Sequence, residues 1–264
     1  MSDSPVRHEQ ADGVATITLN RPEALNSLTH DTKEALRDAV EYVASDVAVR
    51  CVVITGTGRA FSVGQDLGEH VDNLATKSMA EIWATVPEHF TPIASAIATM
   101  PKPVIAAVNG VAAGAGAAIA LACDLRLFAD TAGLNTAFTS IGLSCDTGTA
   151  WTLPRLIGYA KAVELLLLPR TVNATEAAGL GLATRVVPAP ELAAAVGELA
   201  RTLAAGPTMA YAAVKRVVAY GATHDLAATL AVEGKQMALT GASQDHRDAV
   251  AAFLAKQPPV FHGR

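Results

Sequence analysis

Val108-Asn109-Gly110-Val111-Ala112-Ala113-Gly114-Ala115-Gly116-Ala117-Ala118 is the stretch on which the architecture of this chain turns. The residues leading into it, 103–108, are an apolar run of Val, Ile and Ala, the pattern of a strand covered on both faces. Those that follow, 113–123, are rich in Ala and change to a helical period at the glycines. The uncharged stretch 103–123 is long enough to raise the question of a membrane span. Asn109, three glycines and the change of period speak instead for a buried strand passing through small residues directly into a helix. With no bulky side chain in between, a ligand carbonyl is able to approach the backbone and the positive end of the helix.

A second stretch has the same design: Gly56-Thr57-Gly58-Arg59-Ala60-Phe61-Ser62-Val63-Gly64-Gln65-Asp66-Leu67. The apolar run 51–56 reads as a buried strand closed by Gly56, and a glycine-bearing loop leads to a turn that Asp66 is suited to cap. In an open parallel sheet, ligands collect beyond the carboxyl ends of the strands, where both loops would lie. Neither loop is a phosphate loop of the form GxxxxGK[ST]. Gly114-Ala115-Gly116 does not complete GxGxxG, because position 119 is Ile.

Outward from these loops, 14–19 alternates apolar and Thr residues as a half-buried strand, and 124–129 and 185–187 are further strands. Residues 29–44 are predicted helical, with Thr29 or Asp31 as N-cap and an apolar stripe at Ala35, Leu36, Ala39, Val40 and Val43. The span 78–99 is helical but interrupted at Pro87 and Pro92. Helices are also expected at 160–168, 174–180, 191–204, 208–218, 225–239 and 244–256. Strands alternate with helices to about residue 187 and helices alone follow. This predicts an α/β core over 1–187 and a helical C-terminal region over 188–264, joined at Pro188-Ala189-Pro190.

Composition narrows the function. Hydrophobic residues make up 51% and charged residues 17%, which excludes a disordered chain. A net charge of −5 argues against a nucleic-acid-binding surface. The three cysteines, Cys51, Cys123 and Cys145, form no CxxC pair, so neither a disulfide framework nor a zinc site is expected. The N-terminus, Met1-Ser2-Asp3-Ser4-Pro5, carries no apolar signal segment, and a cytoplasmic enzyme is expected. The seven histidines show no HExxH and no triad order.

The ordered series of pieces along the chain resembles the crotonase (enoyl-CoA hydratase/isomerase) superfamily. The pieces are Asn20-Arg21-Pro22 with Leu25-Asn26-Ser27-Leu28, the loop from Phe61 to Leu67, and Asn109 to Gly116. Asp124-Leu125-Arg126, Pro154-Arg155-Leu156-Ile157-Gly158, Gly179-Leu180-Gly181-Leu182 and Phe253-Leu254-Ala255-Lys256 complete the series. Within the family, Asp146-Thr147-Gly148, Trp151 to Arg155 and the tail are most similar to the isomerases of bacterial phenylacetate breakdown, which act on 1,2-epoxyphenylacetyl-CoA.

The resemblance implies a superhelix of ββα units followed by a helical trimerisation region, assembled as a homotrimer or hexamer. It implies an acyl-CoA substrate, no metal, flavin or nicotinamide cofactor, and no nucleic-acid or membrane partner. Carried over residue by residue, the backbone N–H groups of Gln65 and Ala115 would form an oxyanion hole. Backbone around Ala24, Leu25, Ser62 and Val63 would hold coenzyme A, with Phe253 and Lys256 of a neighbouring subunit at its nucleotide end. The acyl pocket would be built by the region 71–92, which holds Glu81, Glu88 and His89.

The chain departs from the family pattern at the catalytic acids. Hydratases of the family use two glutamates, and those positions hold Ala118 and Phe138. Isomerases place an acid slightly later, in a D-x-G loop, where Asp146-Thr147-Gly148 stands. A carboxylate with a pKa of about 4 in water is a weak base, and burial among Ile141, Leu143 and Trp151 would raise it. The favoured reading is an acyl-CoA isomerase, through a double-bond shift or the opening of an aryl epoxide. Hydration or thioester hydrolysis assisted by Glu81 or Glu88, and an acyl-CoA binding protein without catalysis, remain the alternatives. Asp146 has a competing role too, as the cap of a helix starting near Gly148.

Overall fold

The computed structural model describes residues 4–264, so Met1, Ser2 and Asp3 of the N-terminal segment lie outside the described residues. Among the described residues, ten strands form two sheets. They are β1 (Val6–Ala11), β2 (Val14–Leu19), β3 (Cys51–Gly56), β4 (Ala60–Ser62), β5 (Val104–Val108), β6 (Val111–Ala113), β7 (Leu125–Ala129), β8 (Gly133–Asn135), β9 (Val172–Asn173) and β10 (Arg185–Val187). The larger sheet has the order β1-β2-β3-β5-β7-β10, parallel throughout except for the β1–β2 hairpin. The smaller has the order β4-β6-β8-β9, with β4, β6 and β8 parallel and β9 antiparallel.

The architecture is a repeat. β3–β4, β5–β6 and β7–β8 each place one strand in the large sheet and the next in the small one, and helices then return the chain. The corner between β5 and β6 is the dipeptide Asn109-Gly110. The Asn109 side chain donates to the carbonyls of Gly58 (2.9 Å) and Ala60 (3.0 Å) and accepts from the Gly56 N–H (3.2 Å), tying adjacent corners together. At the next position a side chain would place its Cβ 2.1 Å from the Arg59 carbonyl oxygen, so only glycine fits.

The helices are α1 (His30–Ser45), α2 (Leu67–Thr76), α3 (Met79–Trp83), α4 (Thr91–Thr99), α5 (Ala115–Ala122), α6 (Thr149–Ile157), α7 (Tyr159–Leu167), α8 (Ala174–Gly179), α9 (Leu192–Ala204), α10 (Thr208–Gly221), α11 (Leu226–Gly241) and α12 (Gln244–Leu254). Thr29 caps α1 by accepting from the Thr32 N–H, and Leu36, Val40 and Val43 bury the inward stripe. β5 is buried along its whole length, as a strand covered on both faces must be. α5 is also buried at every position, which explains its restriction to Ala, Gly, Ile and Leu.

Two expectations change. The strand over 103–108 does not pass directly into a helix: β6 intervenes, and Ala115 opens α5. The interruption over 78–99 is a π turn, Val86–Phe90, that joins α3 to α4 without breaking the helical path. Pro87 and Pro92 each fall at the second position of their segments, and the Thr91 N–H reaches back five residues to the Val86 carbonyl. After the joint at Pro188-Ala189-Pro190, α9 packs against the large sheet, and its Leu192, Val196 and Ala200 belong to the core. On α10 and α11, Val214, Val218, Leu226, Leu230 and Met237 are exposed. Among the described residues no helix is long and apolar enough to cross a membrane.

Candidate active site

The loop after β4 is fixed by residues from the N-terminal segment. Asn26, buried, donates through its amide to the carbonyls of Thr57 (2.9 Å) and Ala60 (2.8 Å) and accepts from the Arg21 N–H (2.9 Å). Asp66 caps α2 by accepting from the Glu69 N–H (3.1 Å), as expected for that residue. Its other oxygen accepts from Arg21 Nη1 (3.0 Å) and Ser27 Oγ (2.8 Å). Partial burial opposes its charge, but the bonds from Ser27, Glu69 and Arg21 prevail and hold its carboxyl below the usual range. Between Asn26 and Asp66, the main chain of Leu28 pairs with that of Gly64 and Asp66. This pairing leaves the Gln65 N–H out of the ladder.

The second loop runs from β6 through Gly114 into α5. Gly114 lies at φ +51° and its N–H donates to the Asn135 carbonyl (3.0 Å). Ala115, as the first helical residue, has an N–H with no acceptor inside the helix. Neither the Gln65 nor the Ala115 N–H donates to any described residue. The two loops meet at Gly64, whose φ of +82° suits glycine and where a Cβ would stand 3.0 Å from the Ala115 nitrogen. Both N–H groups therefore belong to the carboxyl ends of β4 and β6, in the small sheet. The carboxyl ends of the large sheet's strands, where the sequence suggests the loops would lie, are one strand removed.

Gln65, Ala115 and Asp146 line a single cavity of about 770 Å³. Its walls are mostly apolar, from Ile82, Val86, Phe90, Phe138, Ile141 and Leu143. Asp146 precedes two left-handed residues, Thr147 (φ +52°) and Gly148 (φ +76°), which turn the chain into α6. The carboxylate does not cap α6. The Thr149 N–H bonds the Asp146 main-chain carbonyl (2.9 Å), and the side chain accepts from Thr147 Oγ1 (2.7 Å). Burial pushes the Asp146 carboxyl above its ordinary pKa, opposed by the Thr147 bond and by the positive Lys33.

The remaining sequence-derived positions divide. Val63 lines the cavity, while Ala24 and Leu25 are half-buried in a short 3-10 turn beside it. Ser62 is fully buried, and its hydroxyl donates to the Asn26 carbonyl (2.7 Å) and accepts from the Gly64 N–H (3.2 Å), so it holds the loop together. Phe253, 80% exposed, and Lys256 lie at the end of α12 and outside the cavity of this chain. Glu81 lines the cavity but is spent on a capping box at Ser78, whose hydrogen bonds hold its carboxyl below the usual range. Glu88 lines the cavity from the π turn.

A buried charged residue of the cavity escaped the sequence reading. Lys33, on α1, is buried and donates to Gln65 Oε1 (3.0 Å) and Thr85 Oγ1 (2.8 Å). The signal was present, since Lys33 stands three residues before Leu36 and seven before Val40, on the inward stripe. His89, in the region expected to build the acyl pocket, lines the cavity and is buried, with Nδ1 3.2 Å from Thr85 Oγ1, and burial with Lys33 nearby lowers its pKa.

Comparison with known proteins agrees with this architecture. The family model for enoyl-CoA hydratase/isomerase matches residues 9–264. A protein of Rhodobacter capsulatus named as a probable enoyl-CoA hydratase is 40% identical over 264 residues, covering 100% of both chains. The 1,2-epoxyphenylacetyl-CoA isomerase of Escherichia coli is 40% identical over 253 residues, 96% of each. The crystal structure of an enoyl-CoA hydratase from Bacillus anthracis superposes with a TM-score of 0.92 at 30% identity, over 98% of this chain and 100% of that one. With two sheets built from ββα repeats, a helical C-terminal region and full-length relatives, the chain belongs to the enoyl-CoA hydratase/isomerase family and has the crotonase fold.

Proposed function

We propose that this family member is an acyl-CoA isomerase that holds a thioester oxygen between the main-chain N–H groups of Gln65 and Ala115 and moves a proton with Asp146. The observation that carries this reading is a half-buried carboxyl group on the wall of the cavity that two unengaged main-chain donors also line. In the double-bond shift, the Asp146 carboxylate takes an α or γ proton from the acyl chain. The C–H electron pair moves through the conjugated system onto the thioester oxygen, and the resulting enolate is stabilised by the two N–H groups. In comparable sites, loss of one such donor costs roughly 10²–10³ in rate. The protonated Asp146 returns the proton at the other end of the allyl system, the double bond re-forms one position along, and the thioester carbonyl is restored. No water is consumed.

Epoxide isomerisation of the kind for which the E. coli relative is named uses the same parts. Hydration, suggested by the name of the R. capsulatus relative, calls for a second acid to hold water, and Ala118 and Phe138 supply none. The backbone of Ala24, Leu25 and Val63 beside the cavity suits coenzyme A. The exposed apolar residues of α10 and α11, with Phe253 and Lys256, suit assembly as a homotrimer or hexamer.

The test is a panel of 3-enoyl-, 2-enoyl- and arylacetyl-CoA esters assayed with wild type and Asp146→Asn. Loss of isomerisation in the variant, with CoA-ester binding retained and solvent deuterium entering the wild-type product without addition of water, is the expected outcome. Unchanged turnover in Asp146→Asn would end the proposal.

A further inference from the structure

The Lys33 ammonium is buried in the cavity wall with only neutral partners. Two of its three N–H donors go to Gln65 Oε1 and Thr85 Oγ1. No hydrogen bond to a described residue occupies the third, and no described carboxylate pairs with it. The Phe90 ring lies 5.5 Å from Nζ. Glu69, Asp66 and Asp146 draw on its charge from a distance and Lys77 opposes it, while burial lowers its pKa. A buried ammonium served only by neutral acceptors is destabilising relative to an apolar side chain of the same shape. Gln65 Oε1 and Thr85 Oγ1 are neutral acceptors and do not in themselves require a charged donor. Lys33 lines the same cavity as Gln65, Ala115 and Asp146; the lining is apolar at Ile82, Val86, Phe90, Phe138, Ile141 and Leu143 and also holds His30, Glu69, Lys77 and His89.

We infer that Lys33 is a specificity-determining residue whose free N–H takes an oxygen acceptor carried by the acyl group beyond the thioester. The inference rests on the acyl-CoA reading above and deepens it by naming the substrate class: an oxygen-bearing acyl thioester, not a plain hydrocarbon chain. An oxygen acceptor completes the ammonium's third bond. A hydrocarbon chain leaves that donor desolvated and unpaired, which is the stronger basis for discrimination. A carboxylate and a hydroxyl or ring oxygen share this chemistry and differ in charge.

The experiment uses three 3-enoyl-CoA esters of equal length, ending in a methyl group, a hydroxyl group or a carboxylate, with wild type, Lys33→Met and Lys33→Gln. Turnover is measured on these, and binding of the corresponding saturated esters is followed by calorimetry. Lys33→Met is expected to lose roughly 10- to 100-fold in affinity and in kcat/KM for an oxygen-bearing ester, against less than about 3-fold for the methyl-terminated one. Recovery in Lys33→Gln identifies the oxygen as neutral, and continued loss identifies it as anionic. An equal loss on all three esters in both variants would overturn the inference and leave Lys33 as a brace for Gln65 and Thr85. Should wild type show the Lys33-dependent binding preference yet isomerise no ester, the isomerase reading fails while this inference stands.

Discussion

A methyl group on Gly64 would stand 3.0 Å from the amide nitrogen of Ala115 and 2.8 Å from the carbonyl oxygen of Ala113. The two loops that supply the unengaged N–H groups are thus in van der Waals contact at one glycine, which also takes a positive φ. Gly64→Ala should separate the loops and displace the donors. We expect kcat/KM to fall at least about 10²-fold. The left-handed conformation should add a stability loss of about 1–2 kcal/mol. Steady-state kinetics and urea unfolding of the variant check both. Near-wild-type turnover would separate Gly64 from the donor geometry.

Asp146 makes activity and stability respond to pH in opposite directions. Its carboxyl is raised by burial, so the acid limb of kcat/KM should lie above the ordinary carboxylate range, and the limb should be absent from any residual rate of Asp146→Asn. Because the folded state binds this proton more tightly than the unfolded chain, its ionisation lowers stability as pH rises through the raised pKa. Asp146→Asn should therefore melt higher than wild type at neutral pH, and the gap should close below about pH 4, where both states of the wild type are protonated. An equal Tm difference at every pH would refute this.

The thiols offer a chemical probe of the cavity. Burial pushes Cys51 and Cys123 up to about 12, so both should be inert to iodoacetamide at pH 8. Cys145, half-buried beside Asp146, lines the cavity. Peptide mass mapping should find label at Cys145 alone, and a saturating acyl-CoA should slow it several-fold. Labelling unaffected by acyl-CoA would argue that the ligand sits elsewhere.

Lys215 on α10 reaches back to the core, where its Nζ lies 2.7 Å from Asp124 Oδ2 and donates to the Lys102 carbonyl (2.9 Å). Asp124 in turn accepts from the Val104 N–H (2.8 Å) at the start of β5. Lys215→Met leaves a mostly buried carboxylate without its cation and should cost about 3 kcal/mol in urea unfolding. Activity per folded molecule should stay near wild type, because none of these groups lines the cavity. A selective loss of kcat without a loss of stability would contradict this reading.

Residues with a strong local pattern were legible in one dimension. The strands at 14–19, 51–56 and 185–187, the Thr29 cap and the Asp66 cap all depend on neighbours within a few positions, so hydropathy and side-chain type were enough. The absence of glutamate at 118 and 138 and the presence of Asp146 were equally plain. β4, β6, β8 and β9 were not legible, because strands of two or three residues are too short to carry a period. Their pairing is made entirely by contacts distant in sequence.

The small sheet decides where Gln65 and Ala115 meet, and only the folded chain could show that Gly64 is the point of contact. Lys33 looked like one more charge on an amphipathic helix until the π turn and the loop after β4 closed over it. Burial, and with it the pKa of Asp146 and the unmet donor of Lys33, is a property of surroundings drawn from segments far apart in sequence. Side-chain chemistry was written in the sequence. The dielectric in which it operates was set by tertiary packing.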